Sequence, residues 1–234
     1  MKTTIVIALG ALALAQNAFA AEVTGGNLEI RHSAFTDQTS LSSTSFTGSM
    51  EVGFTRAFAL QFDLGMYKLN AINETGRNAA IHAVYHVNET ASLGFFLGND
   101  DIAGSANIYG IEGGFELPGV DVELYLADET DSGASATLFG VDLHHDFGNN
   151  FGITGTLDRA DFGSGVDLTR LKIGVNYDLS PTSEIYGELG SLNASAMGLS
   201  GSEAFVGIGA RINFGAARGT TFKRRGLLEL IPGL

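Results

Sequence analysis

Asp142, His144 and Asp146 stand two residues apart, the interval that returns a side chain to the same face of a β-strand. Carboxylates flanking an imidazole on one face could do acid–base hydrolysis. The strand carrying them would run down from a long polar connection, so His144 and Asp146 would lie at its far end, away from an external substrate. His82 and His86 also share a face, but four residues along a strand span about 13 Å, too far for both to ligate one ion. His32 and Ser33 supply a base and a nucleophile, yet neighbours on a strand point to opposite faces. The acidic stretches 99–101 and 128–131 lack the alternating oxygen ligands before a Gly that mark a calcium loop, and are read as solvated loops. No catalytic residue, metal site or cofactor is assigned.

A different constellation remains. Glu51, Asp63, Glu112, Glu123, Asp142 and Glu188, with Arg170, Lys172 and Arg211, all fall on one phase of segments that alternate polar with apolar. The clearest such segment places Ala204, Val206, Ile208, Ala210, Ile212 and Phe214 at every second position. Twelve alternating segments, near 27–35, 44–55, 58–68, 77–87, 91–98, 106–117, 120–128, 136–147, 151–160, 167–179, 183–190 and 203–214, are bounded by turn residues. Short connections (55–57, 88–90, 118–119, 148–150, 180–182) alternate with longer polar ones (36–43, 70–76, 99–105, 129–135, 161–165, 191–202). Outer-membrane barrels pair short periplasmic turns with longer outer loops. The expected fold is therefore all-β, a closed antiparallel up-and-down transmembrane β-barrel of about twelve strands with both termini periplasmic. The polar phase would face the lumen and the apolar phase the lipid. Phe54, Phe58, Tyr85, Phe115, Phe147, Phe151, Tyr177 and Phe214, all on the apolar phase beside short turns or the chain end, would form a membrane-interface girdle.

The first twenty residues carry Lys2, an apolar run and small residues at Ala18 and Ala20, the pattern of a cleaved secretory signal peptide. That divides the chain into a signal peptide at 1–20, a barrel at 21–215 and a periplasmic C-terminal tail at 216–234. There is no Cys, so no disulfide holds the exported fold. Between 21 and 215 there are 25 acids and 8 bases, a net charge of −17, whereas the tail carries a net charge of +3. So acidic a chain is not a nucleic-acid binder.

The signal peptide, the amphipathic segments and the terminal segment ending on Phe214 resemble the porin-like outer-membrane proteins of Gram-negative bacteria. The stretches 21–26, 52–58 and 85–88 are similar to small porin-like proteins of alphaproteobacteria. The resemblance implies location in the cell outer membrane, contact with its lipid, and recognition of the closing strand by the barrel-assembly machinery. Phe214 is followed by twenty further residues, unlike the terminal aromatic of such families.

A ring dominated by carboxylates in a narrow pore favours cations over anions. The expected function is thus a porin-like channel for passive diffusion of small hydrophilic solutes or ions, cation-preferring, and not an enzyme. The alternative is a non-conducting structural or ligand-binding barrel that acts through its outer loops. The tail, with Lys223, Arg224 and Arg225 ahead of an apolar cluster, is read in two ways: a plug for the acidic lumen, or a contact for a periplasmic partner.

Overall fold

In the computed structural model, residues 21–232 are described except 103, 132, 134, 164, 197 and 216–218. The expected signal peptide at 1–20 and the tail residues 216–218 and 233–234 lie outside the described residues. Alternation of side chains dictates twelve strands: β1 (Glu22–Phe35), β2 (Ser42–Gly53), β3 (Phe58–Leu69), β4 (Glu74–Asn88), β5 (Ala91–Asp101), β6 (Ser105–Leu117), β7 (Val120–Thr130), β8 (Ser135–Asp146), β9 (Phe151–Asp161), β10 (Val166–Ser180), β11 (Ser183–Ala196) and β12 (Leu199–Gly215). Each pairs antiparallel with its sequence neighbours, and β12 closes the cycle on β1 from Gly25↔Gly215 to Phe35↔Phe205. Closure leaves no strand edge unpaired, which is how a disulfide-free sheet can stand in lipid. A single turn of helix, α1 (Leu227–Leu230), lies in the tail.

The connections are shorter than the sequence implies. The stretch 191–202, expected as a long loop, is mostly ladder: β11 and β12 stay paired through Ser195↔Ser200 and Ala196↔Leu199. Likewise β4 begins at Glu74, β5 runs to Asp101 and β7 to Thr130. Loss of apolar alternation marks where a strand outgrows the hydrocarbon layer, not where its hydrogen bonding stops.

The phases sort as expected. Leu28, Ile30, Phe46, Leu64 and Ile173 face outward, and the aromatics Phe54, Phe58, Tyr85, Phe115, Phe147, Phe151, Tyr177 and Phe214 are all exposed. Two pairs of these rings meet across neighbouring strands, Phe58–Tyr85 at 4.9 Å and Phe151–Tyr177 at 4.8 Å.

The inward face departs from a uniformly polar lining. Towards the rim of the longer connections it becomes apolar, with Phe35, Tyr67, Phe96, Ile108, Leu138 and Phe205 buried. These side chains cover an inner occupant. Residues 219–232 of the tail turn back at the short-turn rim and run up through the lumen, burying Phe222, Leu228 and Leu230. Burial of each such side chain is worth roughly 1.5–3 kcal/mol.

Re-entry depends on two glycines. Gly219 holds a left-handed φ of +81°, which glycine adopts without strain. A Cβ on Gly25 would lie 1.8 Å from the Gly219 carbonyl oxygen. Gly25→Ala should therefore lever the tail from its entrance, costing about 1–3 kcal/mol as overpacking does. Limited trypsinolysis of the folded protein checks this: cleavage at 223–225 should be faster than in the parent.

Candidate functional site

The lumen is organised around the tail, and the strands set each contact by presenting alternate residues inward. Near the entrance, the Thr220 hydroxyl lies 3.4 Å from the Asn27 amide nitrogen, and the Thr221 amide donates to Glu51 Oε2 at 2.9 Å. Gln61 then grips Phe222 at two points: its Oε1 accepts from the Phe222 amide at 3.1 Å, and its Nε2 donates to the Phe222 carbonyl at 2.8 Å.

The basic run comes next, opposite the densest carboxylates. Lys223 Nζ reaches Asp142 Oδ1 at 2.8 Å, and its amide donates to Glu123 at 2.9 Å. Arg224 bridges Glu29 at 3.3 Å and Glu229 at 2.8 Å. Arg225 donates from Nε to Glu112 Oε2 at 2.9 Å and from its terminal nitrogen to Glu123, with its guanidinium 4.4 Å from the centroid of the Tyr125 ring.

Higher up, the amides of Leu227 and Leu228 donate to Glu129 and Asp100, each at 3.1 Å. Asp100 is therefore not in a solvated loop; it points inward from β5 and also accepts from Asn78 at 2.5 Å. Leu227, Leu230 and Ile231 pack with Phe96, Ile108, Leu138 and Ala160, and Leu228 with Tyr67 and Leu69. The Pro232 carbonyl accepts from the hydroxyls of Ser33 and Ser43. The tail thus matches the lumen in sequence: cations against carboxylates, then leucines against an apolar collar.

The remaining candidate residues also face the lumen, many of them paired within the wall. Asp63 lies 2.9 Å from His82 Nε2, while Glu112 Oε1 lies 2.6 Å from the other ring nitrogen. Both ring nitrogens of His82 thus lie against carboxylates of the wall. Arg170 holds Asp158 at 2.6 Å, Lys172 holds Glu188 at 2.9 Å, and Arg211 holds Glu29 at 2.6 Å and Glu184 at 2.8 Å. The chemical candidates stay apart: Ser33 is buried inside, whereas His32 faces out and bonds Thr44 at 2.9 Å. His86 bonds Ser92 at 2.9 Å. Among the described residues, no group of three or more His, Asp or Glu could hold a metal ion.

Several inward residues escape the sequence reading: Glu29, Arg31, Gln61, Tyr125, Glu129 and Asp158. They lie on the same phase as the chosen carboxylates, so strict alternation would have found them.

A cavity of about 560 Å³ begins at the short-turn rim and runs past mid-height to Arg31, Asp158, Arg170 and Leu230, bounded by Glu123, Asp142, Lys172, Glu188 and the tail. A second cavity of about 270 Å³ lies at the opposite rim beside Asp100, Glu129 and Leu227. Among the described residues the two share no lining side chain. The tail borders both, with Gly226, Glu229 and Leu230 on the first and Leu227 on the second.

Neither the protein-family models nor the curated proteins hold a match to this chain. Solved structures do match. The KdgM porin aligns with a TM-score of 0.58 at 14% identity, over 80% of this chain and 99% of that one. The NanC porin aligns with a TM-score of 0.63 at 9% identity, over 79% and 98%. The COG4313 outer membrane channel from Pseudomonas putida F1 aligns with a TM-score of 0.57 at 12% identity, over 85% and 98%. A polar-lined, twelve-stranded closed barrel of this size, similar over nearly the full length of these channels, has the fold of the porin-like outer-membrane β-barrels.

Proposed function

We propose that the protein is an outer-membrane channel for small hydrophilic solutes or ions, non-enzymatic, whose own C-terminal tail keeps it closed at rest. The observation carrying this reading is what fills the lumen. A barrel filled only for stability is packed by side chains rooted in its strands. Here the cavity is bordered by a segment that follows the last strand, held by the ion pairs of Lys223, Arg224 and Arg225 together with hydrogen bonds and buried apolar side chains, none of them covalent.

The cation preference follows from what the tail covers. Withdrawal of Lys223, Arg224 and Arg225 would leave Glu51, Glu123 and Asp142 facing the pore without a basic partner, while Glu29 keeps Arg211 and Glu112 keeps His82. Uncompensated carboxylates in a narrow passage lower the energy of a cation and raise that of an anion. One similar structure is a KdgM porin in complex with disordered oligogalacturonate, an acidic saccharide. The excess of carboxylates here argues for solutes of the opposite charge. The alternative role, binding through outer loops, has little surface to use, because those connections are short.

A chain ending at Gly215, placed in planar bilayers under a potassium chloride gradient, should show steps with a reversal potential favouring cations. Glu123→Gln in that chain should reduce the preference. Silence from folded barrels would overturn the channel reading, and an anion preference would overturn the selectivity.

A further inference from the structure

The seat of Arg225 is built differently from that of its neighbour Lys223. The Lys223 ammonium meets one carboxylate and its side chain stays 44% exposed. The Arg225 side chain is 2% exposed, with two carboxylates at its edge and an aromatic ring on its face. Two edge acceptors and a flat ring suit a planar guanidinium and match an ammonium poorly.

Two of the three wall groups are braced from the strands, whereas Glu123 is held by the Lys223 amide and by Arg225 itself. Glu112 is held from behind by His82, which is held by Asp63. The Tyr125 hydroxyl donates to Asp158 Oδ1 at 3.1 Å, and Arg170 fixes the other Asp158 oxygen at 2.6 Å. Glu112 and the Tyr125 ring are therefore set by the barrel wall and would outlast departure of the tail, with Glu123 two residues from Tyr125 on the same face of β7. The site is also reachable, because Glu123, Tyr125, Lys223 and Arg225 all border the cavity that begins at the short-turn rim.

We propose that Glu112, Glu123 and Tyr125 form a guanidinium-binding site, filled at rest by Arg225 and open to arginine-containing peptides when the tail withdraws. The tail is then an internal competitor for the site its solutes use. This deepens the channel reading by naming a solute class, and rests on it only for the solute's route.

The test uses the full-length chain carrying Arg225→Ala, in detergent, titrated by calorimetry with methylguanidinium chloride, argininamide and methylammonium chloride. Saturable binding of the two guanidinium compounds is expected, about tenfold tighter than methylammonium. Adding Glu123→Gln should abolish it, and adding Tyr125→Leu should erase the discrimination. Absence of saturable binding, equal binding of methylammonium, or binding indifferent to Glu123→Gln overturns the proposal. If Arg225→Ala does not fold, Arg225→Gln replaces it. The unmodified chain gives a second measurement: argininamide should speed cleavage after Glu229 by a Glu-specific protease, and an unchanged rate counts against the site. Because binding is read without a membrane, it can fail while the tail-less chain conducts, or hold while that chain is silent.

Discussion

Replacing Lys223, Arg224 and Arg225 together by Gln in the full-length chain should convert a closed barrel into a conducting one, with steps matching those of a chain ending at Gly215. The three contributions are unequal. Lys223 is 44% exposed and its pair with Asp142 lies in water-accessible space, where such pairs contribute 1 kcal/mol or less, roughly. Arg224 and Arg225 are 9% and 2% exposed. Removing one partner of a buried pair leaves the other charge desolvated, at a cost of about 3–5 kcal/mol. With the tail docked, Arg225→Gln would leave the charges of Glu112 and Glu123 buried together; with the tail withdrawn, water solvates both. The balance therefore moves towards the open form. Lys223→Gln alone should stay closed, which separates a graded loss of charge from loss of the buried contacts. Planar-bilayer recordings check the outcome, with heat-modifiable gel mobility confirming that the barrel is intact. A triple variant as silent as its parent would sink the idea that these cations hold the tail.

The barrel was legible because its physics is periodic. A side chain every second residue, such as Ile208, Ala210 and Ile212 facing out and Gly209 and Arg211 facing in, is written directly into the chain. The closing pair of β1 and β12 followed from parity. Strand ends were less legible, since Asn193, Ser195 and Ser200 look like loop residues yet remain in the ladder. Backbone hydrogen bonds carry no residue signature.

The lumen was half legible. Alternation placed Glu51, Glu112, Glu123 and Asp142 inside, but could not say what they face, because their partners sit about 80 to 170 residues away in the tail. A hint was present in the opposite net charges of barrel and tail. The apolar collar of Phe96, Leu138 and Phe205 was hidden for another reason. On strands already apolar on the lipid side, an inward Phe reads as a lapse in alternation, and only the packed Leu228 and Leu230 give it a purpose.

Glu229→Gln should release the tail at neutral pH, because the sole acid among residues 216–234 anchors the basic residues around it. Its oxygens lie 2.8 Å from Arg224, 3.4 Å from Arg31 and 2.6 Å from the Tyr67 hydroxyl, and its carbonyl accepts from Arg170. Burial alone would raise this carboxyl. Arg224 and Arg31 outweigh burial and the opposing charge of Glu29, and with the Tyr67 hydroxyl they hold it down from 4.5 to about 2. A carboxyl depressed in the docked state stabilises docking above its ordinary value and loses that contribution as pH falls through its depressed one. The contribution is about 3 kcal/mol, fully present above roughly pH 5 and fading between there and pH 2. The parent should therefore stay closed at pH 7 and conduct increasingly below pH 4.5. Glu229→Gln should already conduct at pH 7 and respond less to acid, since the strand carboxylates common to both proteins supply only the shared part of the profile. Subtracting the two conductance–pH curves isolates Glu229, and parallel curves would show that the anchor lies elsewhere in the tail.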